Sequence, residues 1–436
     1  MKKIIIALGT VILLSLSSAA LGKALRITIY GPGEQKIALF VAKPLSLTPS
    51  FYSAFNNKLY RLIQDKFKLF PFLTQLSSKD VLEGGQVKGV TLKDIDFKKF
   101  FLSKVDLLIT IGLGPSSKGL ARIELRAFDV FKQTLLTGKA FILQSPNQLE
   151  MVARIFAAAV LKKLSGYSAF FDNPIVFVAR NKGVNSLYEV YADGFGLKKL
   201  FDLKGILTSP CWSFDRKRIV FSAIKNNRNF LGVLDLVSHK VEYHKLPGTL
   251  CISPVFTPQG NIAVSLSLGQ DPDIFLLDKN FKVKKALVQH WGIDISPFFD
   301  QKGDKMVFTS SRFGNPQIFL LNLENKQVQR VTYEGNYNTS AVISPDGRLI
   351  VYSRLTPNGH RIFVHDLNTG LERQITFGPG NDEEPFVSSD GYFVLFTSNR
   401  SGRYQLYYTT INGDGPYLIP TQGLNGFVPA WSWDKK

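Results

Sequence analysis

A repeat of about 44 residues in the C-terminal part of the chain constrains its fold more than any other feature. Six short apolar runs recur there, and their central residues lie 44, 43, 44, 44 and 44 positions apart. A second series of markers, five prolines and one alanine, keeps the same spacing. The runs are centred on Val176, Val220, Ala263, Val307, Val351 and Leu395, and the markers are Pro210, Pro254, Pro297, Ala341, Pro385 and Pro429. Two series in phase over six units indicate a repeat architecture.

Each unit of the repeat contains turn chemistry between short β-branched and aromatic runs. The marker and an apolar pair lead into a turn such as 344–347 (Ser-Pro-Asp-Gly), and the apolar run follows. Two further strands then follow, for example over 317–322 and 327–332. Gly or Pro interrupts each unit too often for an amphipathic helix, which excludes a helical solenoid. Four strands per unit of this length predict a six-bladed β-propeller over residues 171–436.

The phase of the repeat also predicts how the ring closes. The first unit begins at its second strand, near Ile175, and the last unit ends with an extra marker-led strand around 427–433. We therefore expect the last strand of the chain to complete the blade that the first strand begins. Such pairing leaves no free sheet edge at the junction.

The first 24 residues have the pattern of a secretory signal. Lys2 and Lys3 precede an apolar stretch over 4–16, and small residues follow up to Ala24. The stretch is short for a membrane span, which favours a signal peptide at 1–24 over an uncleaved anchor. Cleavage after Ala24 or after Ala20 fits the pattern. We therefore expect an exported protein.

Residues 25–170 lack the repeat and predict a small mixed α/β domain, so that the whole chain is an α+β protein of two domains. Strands are expected at 37–41, 105–111, 121–130 and 135–143. Apolar spacing predicts helices over 50–67 and 147–164, the second beginning at an Asn147 N-cap and ending at Gly166. This region carries 21 Lys and Arg against 10 Asp and Glu, within a chain of net charge +19. Such basicity favours anionic partners, but the scattered lysines do not predict nucleic-acid binding.

Motifs for catalysis are missing from the sequence. It contains no Gly-x-Ser-x-Gly elbow, no Walker motif and no His-Glu-x-x-His, and its five histidines are scattered. We therefore predict a protein that is not an enzyme and has no catalytic, metal or cofactor residues. Cys211 and Cys251 are the two cysteines, and a disulfide between them is permitted but not required.

The segments before the six markers are the candidate binding site, because in a propeller they should surround one mouth of the central channel. They mix hydroxyls, amides, carboxylates and aromatics, a surface suited to a peptide or protein segment. The candidate rim residues are Ser209, Ser253, Asp294, Ser296, Tyr337, Asn338, Asp382, Glu383, Glu384, Asn425 and Phe427.

The chain resembles the TolB family, the periplasmic components of the Tol–Pal system. The resemblance rests on a signal peptide, a small α/β domain and propeller repeats such as 308–318, 330–338 and 428–433. It implies that the rim binds a Pal-like peptidoglycan-associated lipoprotein, and that the N-terminal segment of the mature chain binds a TolA-like inner-membrane protein. The matching N-terminal residues are Leu25, Arg26, Ile27, Thr28, Ile29 and Tyr30.

The family further implies a scaffold that maintains the outer membrane and its constriction at division. We expect a monomer that meets membranes only through its partners. Two other functions are weighed against this one: a propeller enzyme, such as a peptidase without its hydrolase domain or a sugar or lactone hydrolase, and a glycan-binding propeller. An enzyme would need converging catalytic groups on the channel floor, and a glycan binder would need aromatic platforms repeated in each blade.

Overall fold

A computed structural model describes residues 36–48, 55–166, 168–181 and 183–433. The predicted signal peptide and the segment Leu25 to Tyr30 lie outside the described residues. No described helix combines the length and the apolar character that crossing a membrane would require.

The N-terminal domain is a mixed sheet with helices packed against it. The strand order is β3-β1-β4-β5-β6, with β2 beside β4, and β1, β3 and β4 run parallel to one another. The strands are β1 (Ile37–Val41), β2 (Leu45–Ser46), β3 (Leu73–Gln75), β4 (Leu107–Gly114), β5 (Ala121–Asp129) and β6 (Thr134–Leu143). The α-helices are α1 (Asn56–Lys68), α2 (Phe97–Leu102), α3 (Leu149–Ser165) and α4 (Ala169–Asp172), and 3-10 turns span Leu82–Gly85, Leu92–Asp94 and Pro146–Gln148.

The expected elements of this domain are found with shifted ends. The four predicted strands are confirmed as β1, β4, β5 and β6, and the two predicted helices correspond to α1 and α3. The predicted Asn147 cap is wrong. Ser145 and Gln148 form a capping box around a 3-10 turn instead, because Pro146 supplies its first residue. Gly166 ends α3 in a left-handed conformation, as expected.

Six four-stranded antiparallel sheets form the propeller. In each blade the strand that begins just before the marker residue is the inner one, and its neighbours follow outwards. From inner to outer strand, blade 1 comprises Gly426–Trp431, Ile175–Asn181, Val184–Val190 and Lys198–Lys204; blade 2 Ile206–Trp212, Arg218–Lys225, Arg228–Asp235 and Lys240–His244; blade 3 Cys251–Phe256, Ile262–Leu266, Asp273–Leu277 and Val283–Val288; blade 4 Asp294–Phe299, Lys305–Ser310, Gln317–Asn322 and Val328–Arg330; blade 5 Asn338–Ile343, Leu349–Thr356, Gly359–Asp366 and Glu372–Gln374; and blade 6 Asp382–Val387, Phe393–Ser398, Gln405–Thr410 and Tyr417–Leu418.

The predicted closure of the ring is confirmed. Gly426 pairs with Ala179 and Trp431 with Ile175, so the last strand of the chain is the inner strand of blade 1. The six apolar runs are the second strands of the blades and are almost entirely buried. Burial on both faces explains why these runs are continuously apolar, without the alternation of a half-exposed strand.

A buried ionic cluster joins the N-terminal domain to blade 1. The carboxylate of Asp193 is fully buried, and it lies 2.8 Å from Lys66 Nζ of α1 and 3.2 Å from Arg154 Nε of α3. The Arg154 guanidinium also stacks 4.1 Å from the ring centroid of Tyr191. Two cations from the N-terminal domain therefore share one carboxylate of the propeller.

Aromatic contacts extend the same interface to blade 6. Phe72 lies against Tyr392, Phe170 against Phe393, and the Tyr408 hydroxyl donates to the Leu69 carbonyl over 2.7 Å. Tyr392 and Phe393 lie where the second strand of blade 6 begins, at the end of the blade opposite to 382–384. The mouth formed by the segments before the markers therefore faces away from the N-terminal domain.

Candidate functional site

Every inner strand carries the same β-bulge at the channel mouth. The register of the inner strand shifts in all six blades at the residue before the marker. That residue has a positive φ in each blade, from 43° at Val428 to 57° at Ser296, although none of the six is glycine. The neck ring formed in this way comprises Ser209, Ser253, Ser296, Ser340, Glu384 and Val428.

Left-handed conformations of non-glycine residues are costly, about 1–2 kcal/mol each, and they persist only where the surrounding structure enforces them. The six bulges are enforced by the sheet register. A bulge redirects side chains that a regular strand would place elsewhere. Here the redirected residues all line one cavity.

The cavity is the open end of the propeller channel, with a volume of about 210 Å³. Its wall consists of the neck ring and the marker residues that follow it. Aromatic side chains close the channel beneath the neck. Phe298 packs 5.1 Å from Phe386 and 5.4 Å from Trp433, measured between ring centroids, and the Trp433 indole N–H donates to the Val387 carbonyl over 2.8 Å. The cavity is therefore a blind, polar-necked pocket.

Glu384 is the carboxylate of the neck ring. Its Oε2 accepts a hydrogen bond of 2.6 Å from the Val428 backbone N–H, across the junction between blades 6 and 1. Burial, reinforced by the neighbouring charge of Glu383, raises the pKa of Glu384 to about 7. Through Glu384, the neck therefore holds a group that can exchange a proton near neutral pH. On the other side of the ring, the Ser253 and Ser296 hydroxyl oxygens lie 3.3 Å apart.

An arc of polar and aromatic side chains continues from the neck across blades 5, 6 and 1. Glu383 accepts a hydrogen bond of 2.9 Å from the Tyr404 hydroxyl and lies 3.8 Å from His360 Nε2. The His360 ring packs against Tyr337, 6.0 Å between centroids, and the Tyr404 ring packs against Phe427 at 5.2 Å. We call this set the rim arc; its members are Tyr337, His360, Glu383, Tyr404, Phe427 and Arg180, the last lying over the Phe427 ring at 4.4 Å.

The remaining predicted rim residue on the surface is Asn425, which is exposed beside the rim arc. It lines a groove of about 500 Å³ at the side of blade 1. Arg180, Lys199 and Arg403 bring positive charge to this groove, and Asp202, which forms a 3.0 Å ion pair with Lys199, brings negative charge. The groove is thus a polar extension of the channel mouth.

Three predicted rim residues do not face the surface. Asp294, Asn338 and Asp382 are fully buried. They begin inner strands, so the prediction that these three side chains lie on the exposed rim is wrong. Asp294 pairs with Arg312 at 3.1 Å and Asp382 with Arg400 at 2.7 Å.

Asn338 has the equivalent place in blade 5, where its Oδ1 accepts a hydrogen bond of 2.8 Å from Arg354. Each of the three arginines also lies over an aromatic side chain of the third strand, Phe319, Phe363 or Tyr407. These polar pairs connect the inner strand to the rest of the blade, and a partner at the surface cannot reach them.

His360, Tyr404, Arg180 and Val428 belong to the site but are not among the candidates from sequence. The repeat itself contains the signal for two of them. His360 and Tyr404 lie 44 residues apart, each nine residues after the centre of its apolar run. The third strand of the blade begins there, at the same end as the neck. Aligning the hairpins between second and third strands would have added these residues.

Both cysteines are free thiols buried near the channel wall. The disulfide that the sequence permits is therefore not formed. Within the described residues, His, Cys, Asp and Glu side chains nowhere gather in threes in a way that could hold a metal ion.

Comparisons with known proteins agree with this architecture. The family model described as the TolB beta propeller domain matches residues 161–361. A Tol-Pal system protein TolB from Nitratidesulfovibrio vulgaris is 38% identical over 309 residues, which cover 70% of each chain. The chain belongs to the TolB family. A protein TolB homolog from Chlorobium luteolum is 29% identical over 301 residues, covering 66% of this chain and 65% of that one.

A solved TolB structure supports the fold over nearly the full chain. The crystal structure of TolB from Acinetobacter baumannii superposes with a TM-score of 0.78 at 21% identity, covering 93% of this chain and 98% of the other. The predicted architecture, a small α/β domain followed by a six-bladed propeller, is therefore confirmed for this member of the TolB family.

Proposed function

We propose that this protein is a non-enzymatic, periplasmic scaffold of the Tol–Pal envelope system, which links a Pal-like peptidoglycan-associated lipoprotein to a TolA-like inner-membrane protein. Its role would be to maintain the integrity of the outer membrane and its constriction at division. The observation that carries the proposal is the channel mouth of a TolB-family propeller, where the rim arc borders a blind, polar-necked cavity on the side of blades 5, 6 and 1. The lipoprotein would bind at this mouth.

The size of the cavity favours part of a protein as its occupant. At about 210 Å³ it is smaller than the roughly 300–1,000 Å³ of small-molecule sites. A side chain or loop tip of a partner fits such a volume while the rest of the partner covers the rim. The rim arc supplies aromatic rings and both signs of charge, the side chains that protein interfaces use for anchoring and orientation.

The neck favours a partner that donates hydrogen bonds. Four of its six residues are serines, whose hydroxyls both donate and accept, and Glu384 accepts when it is ionised. Glu383, with 30% of its side chain exposed, presents a carboxylate on the rim arc. A backbone N–H, an amide or a cationic side chain of the lipoprotein would complement these groups.

The second partner would bind at the N-terminus of the mature chain. Leu25 to Tyr30 alternates apolar and polar side chains and can add as a strand to a sheet edge of a TolA-like protein. The Gly-Pro-Gly sequence at 31–33 would be its hinge. If occupation of the mouth changes the availability of this segment, the two partners are coupled by about 1–3 kcal/mol, and the coupling is reciprocal.

The proposal is tested by titrating the mature protein with the soluble domains of the Pal-like and TolA-like proteins of the same organism. Glu383→Lys should weaken lipoprotein binding by about tenfold, or about 1.4 kcal/mol, because it reverses a charge on the rim arc. Glu324→Lys makes the same charge change at an exposed turn between the third and fourth strands of blade 4, away from the mouth, and should have no effect.

Deletion of residues 25–30 tests the other half of the proposal. The deleted protein should lose TolA-like binding and retain lipoprotein binding, with an altered dissociation constant if the two sites are coupled. Unchanged TolA-like binding would show that this segment is not the contact. Equal binding of the lipoprotein to the wild type and to Glu383→Lys would move the lipoprotein away from the rim arc.

A further inference from the structure

The sheet of the N-terminal domain has two very different edges. The β3 edge is three residues long, whereas β6 runs for ten residues and, among the described strands, pairs with β5 alone. Among the residues that the structure describes, no hydrogen bond outside the β5–β6 ladder involves 134–142. With respect to the described part of the chain, the outer side of β6 therefore presents unpaired backbone donors and acceptors.

The outer strands of the propeller blades are also edges, but they are protected. Natural proteins protect sheet edges with short strands and charged side chains. Four of the seven residues of Lys198–Lys204 are charged, and the outer strands of blades 4, 5 and 6 have three, three and two residues. By contrast, Lys139 is the single charged residue in the ten of β6. Its sequence lacks the protection that the other edges have.

An apolar band lies along one face of β6. Leu135 and Ile142 are 46% and 42% exposed. A Cβ on Gly138 would lie 3.9 Å from the Leu135 side chain, so the exposed face passes from Leu135 over Gly138 and Ala140 to Ile142. The exposed rings of Phe101 and Phe131 pack together at 6.2 Å beyond one end of the strand. An added strand could cover this band with its own apolar side chains.

The charge around β6 is positive. Lys139 faces the opposite side of the sheet from Ile142, and it is exposed and free of salt bridges to any described residue, as is Lys132 in the preceding turn. On the neighbouring strand β5, Glu124 is already shared by Arg122 at 2.6 Å and Arg126 at 2.7 Å. Arg122, Glu124 and Arg126 lie on the Ile142 face of the sheet, because they pair with Ile142, Ala140 and Gly138. On the opposite face, acidic side chains of an added strand would be attracted to Lys139.

We propose that β6 binds, by strand addition, an extended segment of another protein that alternates apolar and acidic side chains. The backbone of the segment would pair with the free edge, and its apolar side chains would cover Leu135 and Ile142 while its acidic ones face Lys139. A second copy of this chain would bring an equally basic domain, with a net charge of +11 over residues 25–170. The chain's own segment 25–30 carries Arg26 and no carboxylate. Repulsion disfavours both of these occupants.

The test uses a capped, fluorescently labelled nine-residue peptide that alternates valine and glutamate, and a second peptide with lysine in place of glutamate. Anisotropy titrations of the full mature chain should give saturable binding of the glutamate peptide, at least about tenfold tighter than of the lysine peptide. Lys139→Glu should reverse this preference, because it reverses the charge beside the added strand. Lys285→Glu, on the outer strand of blade 3, is the matched control and should leave the preference unchanged.

Hydrogen exchange identifies where the peptide binds, and circular dichroism checks that each variant is folded. Amides within 134–142 should gain protection when the glutamate peptide is added. The proposal is overturned if protection appears elsewhere, or if Lys139→Glu leaves the preference unchanged. It is also overturned if Ile142→Lys converts a dimer to a monomer in sedimentation, which would make a second copy the occupant. Faster exchange at 134–142 after deletion of 25–30 would overturn it in favour of the chain's own segment.

Discussion

The propeller joins its two chain ends within one blade, whereas the N-terminal domain ends its sheet in an open strand. In blade 1 the last strand of the chain pairs with Ile175–Asn181, so stability of the ring depends on residues about 250 positions apart in sequence. In the N-terminal domain β6 is held by its β5 hairpin partner and by packing against α3. The propeller is therefore closed by long-range pairing, while the smaller domain combines a local edge hairpin with helices that cover its sheet.

Removal of the closing strand should destabilise the protein more than any other change considered below. A chain lacking residues 425–436 loses the inner strand of blade 1 and exposes the edge of Ile175–Asn181. It also loses Trp431 and Trp433, whose indoles donate to Asn173 and Val387. We expect the main cooperative transition in calorimetry to disappear or to fall by more than about 10 °C, since several kcal/mol are lost. A truncated protein that melts like the full chain would contradict the closed-ring account.

Removal of the Asp193 carboxylate should weaken the contact between the N-terminal domain and the propeller. Asp193→Ala leaves Lys66 and Arg154 buried without their shared carboxylate, at an expected cost of about 3–5 kcal/mol in urea unfolding. Asp65→Ala removes a carboxylate from an ion pair with Lys68 in which both side chains are 62% exposed, and should cost less than about 1 kcal/mol. Equal losses for the two variants would mean that the buried cluster does not hold the domains together.

Glu384 should make the stability of the propeller fall as the pH rises. Because its pKa is raised in the folded state to about 7, from an ordinary value of 4.5, both states are protonated at low pH. Between these two values the unfolded chain loses its proton first, so stability falls as pH rises and levels off above 7.

The variant Glu384→Gln removes this dependence and keeps an acceptor for the Val428 N–H. Relative to the wild type it should gain on the order of 1–3 kcal/mol from pH 4 to pH 8. Denaturant unfolding across this range is the measurement. A variant that follows the wild-type pH profile would show that the neck carboxylate titrates at its ordinary value.

Reduction or modification of the two cysteines should have the smallest effect, because both are buried free thiols in the folded protein. Burial raises the pKa of Cys211 to about 11 and that of Cys251 to about 12, so neither is a thiolate at neutral pH. Neither thiol should react with iodoacetamide in the folded protein, and both should react after unfolding. Reductant should leave the melting temperature unchanged. A drop in melting temperature with reductant would reveal a disulfide.

The repeat explains why the propeller could be predicted in detail from the sequence. Six copies of one pattern allow strand order, ring closure and the position of the channel mouth to be inferred together. The start of α3 was harder, since Asn147 and Ser145 are both good capping residues, and it is the proline between them that favours a 3-10 turn.

The sequence predicts where the candidate site lies in the propeller, but only part of its composition. Sequence spacing identifies which residues precede the markers, but not that a bulge turns Ser209 towards the channel while Asp294 and Asp382 turn inwards to arginines. Tyr404 contacts Glu383 within blade 6, but His360 comes from the hairpin of blade 5 and meets Glu383 only after the blades pack. Contacts between blades depend on their packing, which the sequence of one repeat does not contain.

The central claim, that the channel mouth binds the lipoprotein, is tested most directly by hydrogen exchange of the full mature chain with and without the soluble domain of the Pal-like protein. The account predicts new protection in 251–256, 294–299 and 382–387 and around the hairpins at His360 and Tyr404, with the outer strands unchanged. Protection confined to the N-terminal domain or to the outer strands of the blades would contradict it.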